Sequence, residues 1–117
     1  MAVAAVLAIF VGILVGALLL ADTAGITGLG PFKTVHLLLA TAGASLVFVA
    51  AFTSSAPVAW LAGLAVLGAG SAGLATWRRS LAAPAEGRPA ASAGLLVVHG
   101  AAAVVALVCI VVAAARW

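Results

Sequence analysis

The chain has 117 residues, of which 68% are hydrophobic and 6% charged, with five basic against two acidic side chains. A water-soluble domain of this size needs a mostly polar surface, and this composition excludes one. The basic balance is no argument for nucleic acid, because the cations are scattered at the ends of apolar runs rather than gathered into a patch.

The first element predicted in chain order is an apolar run near residues 2–21, about the 20 residues a helix needs to cross a hydrocarbon core. Its start, "MAVAA", lacks lysine and arginine, and its length exceeds a signal-peptide core, so a retained helix is expected rather than a cleaved leader. "DTAGITGLGP" closes this run with three glycines and Pro31. Gly28 and Gly30 give a GxG without a following GK[ST], which does not support phosphate binding. The second run covers about 34–54, and "SSAP" turns the chain into the third, about 58–77. A hydrophilic stretch at 78–92, "RRSLAAPAEGRPAAS", reads as a loop because of its two prolines and Gly87. The fourth run covers about 93–115. In lipid every backbone group must be satisfied within its own segment, so all four runs are expected to be helices. The fold class is therefore all-α: a transmembrane four-helix bundle forming a single domain over residues 1–117.

Orientation follows from the basic residues of the short loops. Loops one and three hold Lys33, Arg78, Arg79 and Arg88, whereas the other side holds Arg116. Both termini are thus expected outside and loops one and three in the cytoplasm, with Trp60, Trp77 and Trp117 as interfacial anchors. The GC-rich codon classes of Ala, Gly, Val and Arg associate the chain with a bacterial inner membrane.

Small residues recur at four-residue spacing: Gly12 and Gly16, Ala40 and Ala44, Ala65 with Ala69 and Gly73, Ala102 and Ala106. Such positions let helix backbones approach closely where lipid supplies no hydrophobic drive for association. Runs two and four share Val-His near their cytoplasmic ends, "TVHLLLATAG" and "VVHGAAAVVA", and runs one and three end in "ADTAG" and "AGSAG". The pattern fits two repeated helical hairpins, or a composition biased toward small residues.

Polar chemistry is scarce. The lone cysteine, Cys109, permits neither an internal disulfide nor a thiolate cluster. No serine, cysteine or carboxylate is placed beside a base as an activated nucleophile, so no catalytic residue is assigned and the chain does not read as an enzyme. The first run has no acid before Asp22, unlike small multidrug transporters, and there is no cysteine pair of the kind quinone-reducing thiol enzymes need. Asp22, at the end of the first run, is placed to pair with Lys33 or to bind a cation, and the pairing asks less.

Two histidines remain. His36 lies about two residues into its span and His99 about six, a depth difference of roughly 6 Å that ordinary helix tilt absorbs. Small residues follow each on its own face, Ala40 and Gly43 after His36, Ala103 and Ala106 after His99. This arrangement resembles the four-helix membrane b-type cytochromes, in which two histidines on different helices clamp a haem iron. The resemblance implies His36 and His99 as axial ligands of a single b-type haem, with Lys33 and Arg88 as partners for its propionates. The reading that asks least of the same residues needs no cofactor: a small non-catalytic subunit or helix-packing module, its imidazoles hydrogen-bonded across helices, embedded in the bilayer as a homo-oligomer or in a larger membrane complex. A small channel or carrier is a third reading, weakened by the lack of a buried charge.

Overall fold

The computed structural model describes residues 2–22, 30–86 and 93–116. They form four α-helices in chain order: α1 (Ala2–Asp22), α2 (Gly30–Thr53), α3 (Pro57–Glu86) and α4 (Ala93–Ala115). Three of them, over Phe32–Thr53, Pro57–Ala82 and Ala93–Ala115, are long and apolar enough to cross a membrane. The described apolar stretch of α1, Val3–Leu19, is shorter.

Two boundaries differ from the sequence expectation. The third span, expected to end near Trp77, continues as helix through Glu86, so Arg78 and Arg79 are helical; residues 87–92 of the loop assigned to 78–92 lie outside the described residues. Charge ends a membrane span but not a helix: arginine, leucine and alanine are all strong helix formers. Pro84 costs that last turn one hydrogen bond, and the helix stops two residues after it. At its start α2 takes in Gly30 and Pro31, since the N–H that proline lacks has no partner in a first turn anyway. The same logic places Pro57 at the head of α3, where the Ala56 N–H donates to Ser54 Oγ at 3.0 Å and tightens the turn.

Neighbours in sequence pack antiparallel. Along the α1–α2 hairpin, Gly43 meets Ile9, Gly12 meets Leu39 and Gly16 meets His36. Along α3–α4, Gly68 meets Ala102 and Gly73 meets His99. The two hairpins join through α2–α3 and α1–α4, which leaves α2 and α4 facing each other across the diagonal of the bundle.

The core lies at one end. Ala5 and Ile9 of α1, Val47, Ala50 and Ala51 of α2, Ala59 and Ala62 of α3, and Ile110 and Ala113 of α4 form a single buried cluster. Alanines set its helix spacing, so the hairpins touch closely there, and Phe52 and Trp60 stack edge-to-face beside it at 4.9 Å. The outside is largely apolar, with Leu38, Leu64, Leu67, Val97 and Val108 more than half exposed and no polar residue in the buried class among the described residues. Water would penalise such a surface; lipid does not, and the helices fit a membrane protein.

Close backbone approach makes one prediction. A Cβ on Gly43 would sit 3.0 Å from Ile9 Cγ1 and 3.5 Å from the Ile9 backbone nitrogen, so Gly43→Ala must push α1 off α2. It is expected to cost about 1–3 kcal/mol. Gly68→Ala meets only Ala102 Cβ, at 3.9 Å, and should be neutral or slightly stabilising. Thermal unfolding of the two variants in mild detergent checks the contrast.

Candidate functional site

Away from the alanine-packed end the hairpins part. The gap is a cavity of about 1320 Å³ walled by all four helices. On α3 its wall runs from Val66 to Leu81, about 22 Å along the axis. His36 and His99 both face it, as do Thr41, Ser45, Thr76 and Ser80.

The structure brings the two histidines together. Their ring centroids are 5.9 Å apart and their planes meet at 75°. The depth offset read from the sequence is therefore absorbed by the packing, and the diagonal helices α2 and α4 face each other through these rings.

Each imidazole is held by the preceding helix of its own hairpin. His36 Nδ1 lies 2.9 Å from the Gly12 carbonyl oxygen, and His99 Nδ1 lies 2.7 Å from that of Ala69. A carbonyl only accepts, so Nδ1 carries the proton in both rings and donates it. In the neutral form of each ring Nε2 is then the acceptor nitrogen, and among the described residues it has no hydrogen-bond partner. One turn after each acceptor stands a glycine, Gly16 or Gly73, against which the ring lies. The clasp is thus built twice, as Gly12–Gly16 with His36 and as Ala69–Gly73 with His99.

The hydroxyls around the cavity are committed differently. Thr41 donates to Leu37 O at 2.8 Å, Ser45 to Thr41 O at 2.9 Å, Thr76 to Ala72 O at 2.9 Å and Ser80 to Trp77 O at 2.7 Å. Each proton is spent within its own helix, so these oxygens can only accept from anything in the cavity. Together with two Nε2 atoms they make a wall of acceptors. Lys33 supplies the cation, exposed on the cavity wall in the first turns of α2.

Of the residues assigned from sequence, His36, His99 and Lys33 share this cavity. Arg88 and Trp117 lie outside the described residues, as does the Asp22 side chain expected to pair with Lys33. Gly16 and Gly73 were legible as small-residue positions for helix packing; that they seat imidazoles was not. Among the described residues no group of three or more His, Cys, Asp and Glu side chains could hold a bare metal ion.

No protein-family model, curated protein or solved structure matches the chain, so the reading of this site rests on its geometry.

Proposed function

We propose that the chain is a membrane protein that holds one b-type haem between His36 and His99 and carries single electrons on it. The observation that supports this most is the imidazole pair itself, 5.9 Å between centroids, with both Nδ1 atoms tied to carbonyls and both Nε2 atoms spare. A ligating histidine characteristically donates its other N–H to a carbonyl or carboxylate, which fixes the tautomer and raises the basicity of the coordinating nitrogen. Two metal–nitrogen bonds of about 2.0 Å in line, with ring atoms about 1.1 Å from their centroids, would hold the centroids about 6.2 Å apart. The spacing present is close to that.

The donor set suits a macrocycle better than a free ion. Zinc normally takes at least three protein ligands, and among the described residues these two histidines have no third beside them. A porphyrin brings four nitrogens, and two imidazoles complete the iron. The cavity, about 1320 Å³, exceeds the roughly 300–1,000 Å³ usual for small-molecule pockets. Lys33 on its wall offers a cation to a propionate, and Arg88 is assigned the same role from its sequence position. Bound there, haem would supply a one-electron couple; the chain's part is to orient the ligands and exclude water. In this reading α1, packed antiparallel to α2, is the fourth span, and loops one and three face the cytoplasm.

A second reading has its own support. Both Nδ1–carbonyl bonds cross between helices, and a packing module of a membrane complex would use them as clasps without any cofactor. A visible spectrum separates the two. Protein purified in mild detergent, or titrated with haemin, is expected to give a Soret band that shifts on dithionite with sharp α and β bands. A preparation that stays colourless after haemin is added removes the haem reading and leaves the clasp.

A further inference from the structure

We infer that Gly16 and Gly73, with the carbonyls of Gly12 and Ala69 one turn before them, are positioning residues that lock the two imidazole planes close to perpendicular. The electronic consequence rests on the haem reading; the positioning itself does not.

Two constraints fix the plane of a ring. The hydrogen bond from Nδ1 fixes where its edge points, 2.9 Å from Gly12 O for His36 and 2.7 Å from Ala69 O for His99. The glycine fixes how it lies. A Cβ on Gly16 would stand 3.0 Å from His36 Cε1 and 3.4 Å from Nδ1; one on Gly73 would stand 3.0 Å from His99 Cε1 and 3.1 Å from Nδ1. Any side chain at either position therefore displaces the imidazole by some tenths of an ångström and turns it. The ring is the free end of a side chain, so it yields before the helices do and the bundle survives the change. Each hairpin applies the same clasp to its own ring, and the planes meet at 75°.

The angle between axial imidazole planes governs the iron's electronic structure. Each imidazole π system interacts mainly with the iron d orbital perpendicular to its plane. Parallel rings load one orbital of the pair and split it; perpendicular rings load both alike and leave them nearly equal in energy. Ferric haem held this way gives a strongly anisotropic low-spin resonance with a single dominant large-g feature. Parallel planes give three well-resolved rhombic lines.

The test combines two measurements on the full-length protein. The first is electron paramagnetic resonance of the haemin-loaded ferric form. The second is ¹⁵N solid-state NMR of histidine-labelled, unloaded protein in lipid bilayers. The wild type is expected to show the single large-g feature, and both histidines protonated at Nδ1 and bare at Nε2. Gly16→Ala should shift the ring nitrogens of His36 alone, and Gly73→Ala those of His99 alone. Either exchange should also alter the large-g feature and weaken haemin binding about 10–100-fold. Gly68→Ala, where a Cβ meets only ordinary contact, should leave every readout unchanged. A rhombic wild-type spectrum overturns the perpendicular arrangement. Alanine variants at Gly16 and Gly73 that match Gly68→Ala in the NMR overturn the positioning role. Should the protein bind no haemin at all, the haem reading fails on its own, and the NMR arm still decides whether the two glycines set the rings.

Discussion

Exchange of either His36 or His99 for alanine is expected to abolish the six-coordinate low-spin haem spectrum while leaving the helical bundle folded. The two effects separate because each imidazole nitrogen does a different job. Losing the Nδ1 bond costs little: interhelical hydrogen bonds in membranes average about 0.6 kcal/mol, and a helix carbonyl keeps its own intrahelical partner. Neither ring is fully buried, so its removal enlarges a cavity that is already open and does not carve a void from the close-packed end. On the haem reading, losing Nε2 would remove one of the two proposed ligands outright. The remaining histidine would hold a five-coordinate, high-spin haem, with a broadened Soret band and weaker retention through gel filtration. Circular dichroism should show wild-type helix content in both variants. Loss of fold in either one would mean that the imidazoles are structural first, and the packing reading would gain. An unaltered low-spin spectrum in either would place the iron elsewhere.

The same separation of tasks explains what could be read from the sequence. In lipid the constraint on each segment is coarse: it must be apolar, about 20 residues long and helical. Four such runs were visible, and α4 occupies the span expected of it, Ala93–Ala115. The meeting of His36 and His99 was also legible, because depth along a helix is arithmetic at 1.5 Å per residue. The clasps were half legible. Gly12, Gly16, Ala69 and Gly73 stood out as small residues, but a small residue reads alike whether a helix or an imidazole lies against it. The reach of α3 to Glu86 was hidden by its arginines, which mark where a span ends and say nothing about where helical hydrogen bonding stops. The cavity was not legible at all. Both lipid and core are apolar, so hydrophobic patterning cannot distinguish a helix face that touches its neighbour from one that faces a gap.

That gap depends on the alanine-packed end, and leucine at Ala62 is expected to damage both stability and site. Ala62 is fully buried, in one cluster with Ala50, Ala59, Ile110 and Ala113, where the alanine methyls let the hairpins come into close contact. Three extra carbons have no space there. The cost of overpacking is about 1–3 kcal/mol, and relief requires the hairpins to separate. His36 belongs to one hairpin and His99 to the other, so any such separation changes their 5.9 Å spacing. Each clasp, by contrast, lies within a single hairpin and should survive. Ala62→Leu is therefore expected to lower the unfolding temperature in detergent and to weaken haemin binding, while the ¹⁵N shifts continue to report Nδ1 protonation at both histidines. Ala101→Leu, on the exposed face of α4, is the matched control and should change none of the three. If Ala62→Leu were destabilised yet bound haemin as tightly as the wild type, the ligand spacing would be set within the cavity rather than by the end that holds the hairpins together.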